Sequence, residues 1–116
     1  MQNITIYHNP KCSKSREALA YIEDTGAKFE TIKYLDADLS TSDIRDLLNK
    51  LGISPRELMR TKEEIYKELD LASVSDEETL IEAMAKHPKL IERPIIIKGE
   101  RAIIGRPPSL VVEFIA

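Results

Sequence analysis

Cys12 is the only cysteine in the chain, and its neighbours are polar or cationic: Lys11 before it, and Ser13, Lys14, Ser15 and Arg16 after it. A short β-branched run from Ile4 to Tyr7 precedes it, and Asn9 and Pro10 break that run. The cysteine is thus expected at a strand-to-helix turn. There it would meet unpaired backbone N–H groups and the positive end of a helix dipole, both of which favour thiolate over thiol. A lone cysteine is often just a small buried hydrophobe, but cationic neighbours suit a reactive, partly exposed nucleophile better. The same backbone donors would cradle an oxyanion, and a tetrahedral one is the natural guest. The Cys-x5-Arg loop of low-molecular-weight tyrosine phosphatases is absent, because Arg16 lies only four residues past Cys12. Ser15 stands where a Cys-x-x-Cys pair would carry its second thiol, so no internal disulfide can form.

Composition narrows the setting for this chemistry. The 116 residues carry 17 Lys plus Arg against 20 Asp plus Glu, a formal net charge of −3, and 42% are hydrophobic. One domain with a packed core is expected, covering residues 1–116, and bulk electrostatic binding of nucleic acid is excluded. The first ten residues lack a secretory signal and no apolar run approaches a membrane span, which points to a cytoplasmic protein with no membrane partner. His8 and His87 lie far apart and no Cys/His spacing suits zinc, so neither a metal nor a bound cofactor is expected.

Stepping along the chain, Ile4–Tyr7 reads as a strand. Residues 13–25 read as a helix with Ala18, Leu19 and Ile22 inward and Gly26 as its stop, and residues 29–34 as a second strand. This is a βαβ unit with parallel strands. The stretch at about 40–88 is mainly helical. Ile44, Leu47, Leu48 and Leu51 form one apolar face, and Gly52 ends that helix. Helix starts follow at Ser54 with Glu57, Thr61 with Glu64, and Ser75 with Glu78, each a capping-box spacing; Leu80, Ala83 and Met84 form the last buried stripe before His87 and Pro88. The runs 94–97 and 102–104 make a hairpin around Lys98–Arg101. Pro107 and Pro108 then open a final helix with Leu110, Val111, Phe114 and Ile115 facing the sheet. The order βαβ, helices, ββα is that of an α/β, thioredoxin-like fold with a helical insertion between its halves.

The segment HNPKCSKSR at positions 8–16 resembles the active-site segment of the glutaredoxin-coupled arsenate reductase (ArsC) family. The similarity runs on through GISPRELMR ending at Arg60, HPKLIERPI with Arg93 and Pro94, and GRPPS with Arg106. The resemblance implies that a Cys12 thiolate attacks arsenate while Arg60, Arg93 and Arg106 hold its oxygens. It implies a cis proline at Pro94, and gives His8 a part in favouring the thiolate; a hydrogen-bonded structural histidine is the alternative there. Glutathione would serve as cosubstrate and glutaredoxin as partner. Arg93 and Arg106 have separate support, since each precedes a proline that favours extended backbone and both flank the hairpin.

The Ser13–Lys14 pair replaces the small Gly-Thr-type pair of well-known arsenate reductases, and the chain ends at Ala116 without their C-terminal extension, which implies a short-chain subfamily. Two other readings stay open at this level. The related Spx-type regulators share the fold and act by contacting RNA polymerase, although their usual redox pair is missing here. A glutathione-dependent oxidoreductase could instead use the arginines for another oxyanion. A monomer is the favoured state.

Overall fold

The computed structural model describes residues 3–37 and 39–116, which divide into two compact units: Met1–Ala37 with Arg93–Ala116, and Asp38–Glu92. The first unit runs β1 (Ile4–Tyr7), α1 (Ser13–Thr25), β2 (Glu30–Ile32) and, beyond the second unit, β3 (Ile95–Lys98), β4 (Arg101–Ile104) and α6 (Leu110–Ile115). Its sheet has the order β2-β1-β3-β4, with β1 parallel to β2 and antiparallel to β3, and β3 antiparallel to β4. This βαβ plus ββα arrangement is thioredoxin-like.

Alternation along β1 turns Ile4 and Ile6 to one face, where they pack with Ile96 of β3, Ala18 and Ile22 of α1, and Val111 and Ile115 of α6. Helix α1 stops at Gly26, whose φ of 74° is the left-handed conformation glycine adopts most readily. The hairpin is tighter than the sequence suggests. Lys98 and Arg101 pair with each other as strand residues, leaving a two-residue turn in which Gly99 supplies the positive φ.

Three expectations are corrected here. Strand β2 is only Glu30–Ile32, and Tyr34 lies past its end, fully buried. The last helix begins at Leu110, two residues beyond the proline pair, because residues 107–109 are spent on turns. Leu110 is 42% exposed, so the helix buries Val111 and Ile115 instead, an i, i+4 pair on one face.

The second unit contains α2 (Thr41–Leu51), α3 (Pro55–Leu58), α4 (Glu64–Glu68) and α5 (Glu77–Lys86), with 3-10 turns at Leu71–Ser73 and Pro88–Leu90. The apolar face of α2 is buried at Ile44, Leu47 and Leu48, and a full capping box joins Ser40 to Asp43. Ser54 and Glu57 form their box as expected. The other two boxes do not form. Helix α4 starts after Glu63, whose carboxylate is taken by Arg60, and α5 starts after Asp76, with Glu78 paired to Arg45 of α2. In both places an arginine competes successfully for carboxylate at or near the helix start.

Arg56 of α3 ties the irregular part of this unit together, donating to the Tyr66 hydroxyl and to the carbonyls of Leu71, at 3.2 Å, and Val74. These carbonyls lie in a stretch with little regular structure to satisfy them. Arg56→Ala is therefore expected to destabilise the protein by about 2 kcal/mol, read as a lowered urea midpoint; an unchanged midpoint would mean that water replaces the guanidinium at no cost.

Candidate active site

Strand directions decide which residues meet. Tyr7 at the C-terminal end of β1 pairs with Ile95 at the start of β3, and Ile95 pairs with Ile104 at the end of β4. The turn leading to Cys12, the segment Arg93–Pro94 and the segment Gly105–Arg106 therefore leave the sheet at the same end. The sheet ladder continues one step past each strand: the His8 N–H donates to the Ile32 carbonyl at 2.8 Å, and the Gly105 N–H to the Pro94 carbonyl at 2.8 Å.

Cys12 is the N-cap residue of α1, extended at φ −97°, ψ 124°, and 9% exposed. The turn before it is closed by the Cys12 N–H donating to the Asn9 carbonyl at 3.0 Å, and by the Lys11 N–H donating to Asn9 Oδ1 at 3.0 Å. Helix geometry leaves the N–H groups of Ser13, Lys14 and Ser15 without intrahelical acceptors, so three backbone donors follow the cysteine directly. Their dipoles favour negative charge at this point, whether on sulfur or on a bound anion.

Ser15 is fully buried, and sequence reasoning missed its part in the turn. Its hydroxyl accepts from the Asn9 N–H at 3.0 Å and lies 2.7 Å from His8 Nδ1. One oxygen thus connects the end of β1, the turn and the first turn of α1. A serine at the second-thiol position was visible in the sequence, but its bond to a histidine seven residues earlier depends on the turn's path.

His8 is 5% exposed and its pKa is held below the usual 6.5, first by burial and then by the nearby positive charges of Lys33 and Arg16; the interaction with Ser15 opposes this shift. A buried ring with this bias is neutral at neutral pH, so it orients its neighbours instead of supplying a cation.

Arg93 and Arg106 come together directly, the Arg106 Nε donating to the Arg93 carbonyl at 2.9 Å. Both are followed by cis prolines, Pro94 as the resemblance implied and Pro107 in addition. Gly105, between β4 and Arg106, is closely packed: a Cβ there would lie 3.0 Å from Pro94 Cγ and Ile96 Cδ1, so a larger residue needs those side chains to shift. Arg60 belongs to the helical unit. Its N–H donates to the Leu90 carbonyl at 2.7 Å, and its guanidinium pairs with Glu63 and Glu92. Among the described residues, no group of three or more His, Cys, Asp or Glu side chains could hold a metal ion. No described helix is long and apolar enough to cross a membrane.

A thioredoxin-like sheet with one cysteine capping the helix after its first strand defines a thiol-dependent oxidoreductase. The ArsC family model matches residues 7–114. The chain is 50% identical over 116 residues to the uncharacterized protein YfgD of Escherichia coli K12, covering 98% of both chains. It is 47% identical over 109 residues to an arsenate reductase of Neisseria meningitidis serogroup A, covering 92% of this chain and 93% of that one. Among solved structures, the arsenate reductase from Vibrio cholerae superposes with a TM-score of 0.92 at 49% identity, covering 97% of each chain. The chain belongs to the ArsC family.

Two outcomes test this geometry. Ser15→Ala strands the Asn9 N–H and His8 Nδ1 and is expected to cost about 1–3 kcal/mol of stability in denaturant titration, whereas a loss near zero would remove Ser15 from its connecting role. Because the folded pKa of His8 lies below the unfolded value, the unfolded chain binds more protons. The stability contribution is complete above pH 6.5 and is lost as pH falls from there through the folded pKa. His8→Gln should flatten this part of the stability profile, and a steeper acid loss in the variant would contradict a neutral His8.

Proposed function

We propose that this protein reduces arsenate to arsenite through a covalent adduct on Cys12, with glutathione as cosubstrate and glutaredoxin as the partner that restores the thiol. The observation that carries the reading is the lone cysteine at the N-terminus of α1 with Ser15, not a second thiol, three residues on, in a chain of the ArsC family. Relatives nearly half identical over almost their whole length are named arsenate reductases, which supports the substrate.

The Cys12 sulfur attacks arsenic and one arsenate oxygen leaves as water, forming a sulfur–arsenic(V) bond. The glutathione thiolate then attacks the Cys12 sulfur. The electron pair of the sulfur–arsenic bond stays on arsenic, which leaves as arsenic(III) arsenite, while the two sulfurs, oxidised by two electrons in total, form a mixed disulfide. A glutaredoxin thiolate takes over the glutathionyl group and releases the Cys12 thiolate. Without an internal partner for Cys12, the second sulfur must come from solution.

Arg93 and Arg106 are assigned to the arsenate oxygens, because a guanidinium keeps its charge and offers a planar fork that matches a tetrahedral oxyanion. The N–H groups after Cys12 would share the load as charge builds up on oxygen during attack. Arg60 is assigned as the third arginine from its motif, and His8 with Ser15 as the pair that holds the turn in position.

The test is arsenate-dependent NADPH consumption through glutathione reductase, with glutathione and glutaredoxin present and arsenite measured directly. Cys12→Ser should abolish turnover, and Arg93→Ala should lower kcat/KM by about a hundredfold. A folded, fully reduced native protein that produces no arsenite would overturn the reading.

A further inference from the structure

A chain whose net charge is −3 gathers cations where Cys12 lies. Residues 8–16 carry Lys11, Lys14 and Arg16 and no acid, and Lys33 follows directly on β2. All four are exposed. Lys14 lies 3.9 Å from Glu17 on the next turn of α1, whereas neither Arg16 nor Lys33 has a side-chain hydrogen bond or ion pair among the described residues.

Register brings these last two together. Tyr7 pairs with Ile32 in the parallel ladder and the His8 N–H donates to the Ile32 carbonyl, so Lys33 takes the next step, beside His8. Alternation continues the β1 face of Ile4 and Ile6 to that step, and α1 packs on this face through Ala18 and Ile22. From the helix side, Ser15 meets His8 at 2.7 Å and Arg16 follows it. After burial, Lys33 and Arg16 are the charges that hold the His8 pKa down, so both act on the same end of β1. Arg16 is also one helical turn, ~5.4 Å of axis, beyond Cys12, and its N–H donates to the Cys12 carbonyl at 3.0 Å. Two cations without a carboxylate raise the local potential, and an anion between them is attracted by both.

The chemistry of Cys12 requires a second thiol from solution, and glutathione brings its own anions. Its glycyl carboxylate lies within about 8 Å of its sulfur, the span of one residue and a cysteine side chain, which matches the reach from Cys12 to the next helical turn. The γ-glutamyl end carries an ammonium beside its carboxylate and calls for an acid as well as a cation. The glycyl end is an anion only, and cations alone satisfy it.

Resting on the reading that glutathione attacks Cys12, we propose that Arg16 and Lys33 form a subsite for the glycyl carboxylate of glutathione, holding the cosubstrate so that its thiol meets the Cys12 sulfur. Arg16 offers a planar fork to the carboxylate and Lys33 a point charge.

The experiment uses the full chain with Cys12 carried as its mixed disulfide with 2-thiopyridine, an uncharged group. A glutathione thiolate that attacks the Cys12 sulfur forms the glutathionyl disulfide and expels pyridine-2-thione, which is followed by its absorbance. Glutathione is compared at low ionic strength with its glycyl ethyl ester, which keeps the thiol and removes the carboxylate charge. The ratio of the two rates is expected to be about tenfold higher in the parent chain than in the variant carrying Arg16→Gln and Lys33→Gln. Any change in the reactivity of Cys12 itself affects both thiols and cancels in the ratio. An equal ratio in the two chains overturns the subsite, even if both rates fall in the variant. A ratio that collapses in the variant of a protein that makes no arsenite overturns the arsenate reading alone and leaves the subsite standing.

Discussion

The candidate active site rests on the Ser15 hydroxyl. A turn of five residues between a strand and a helix has few ways to keep its backbone donors satisfied while leaving the helix N-terminus open. Here the Asn9 N–H is taken by Ser15 Oγ, the Lys11 N–H by the Asn9 side chain, and the Cys12 N–H by the Asn9 carbonyl. The donors after the cysteine are then the ones left over. The same oxygen faces His8, so the strand end, the turn and the helix start move as one piece. Burial of Ser15 and His8 makes the arrangement costly to break, because neither of those two side chains has ready access to water.

Sheet register does for the arginines what Ser15 does for the cysteine. Antiparallel pairing of β3 with both β1 and β4 puts the start of one strand beside the ends of two others, and Gly105 lets the chain pass close over Pro94 before Arg106 bonds back to the Arg93 carbonyl. The Arg106 side chain is thereby held by a backbone contact next to Arg93. Arg60 is organised differently, by side-chain carboxylates in the helical unit.

Much of the fold was legible in the sequence because its signals are local. The alternation of Ile4 and Ile6, the stripe of Ala18 and Ile22, the face of Ile44, Leu47 and Leu48, and the stops at Gly26 and Gly52 each report the environment of their own segment. The misreadings arose where distant residues decide. Glu64 and Glu78 have capping-box spacing, but the helix starts there depend on Arg60 taking Glu63 and on Arg45 taking Glu78. Leu110 has the composition of a core residue, yet the angle at which the short α6 meets the sheet is set by Val111 and Ile115. At the site, Cys12 stood out by its charged neighbours and Arg93 and Arg106 by their prolines. Ser15 looked like a missing thiol, and its structural use follows only from the path of the turn.

The sheet is assembled from the two ends of the chain, and its central pairing of β1 with β3 joins residues roughly ninety positions apart. Helical segments between them close over short distances and can gain order early, whereas β1 must wait for β3 before it has more than one neighbour. During synthesis, then, Cys12 emerges well before β3 and β4, which complete the sheet beside β1. A half-made chain displays the thiol before its sheet is complete, so the nascent protein passes through a period in which its only thiol is open to cellular oxidants outside its folded turn.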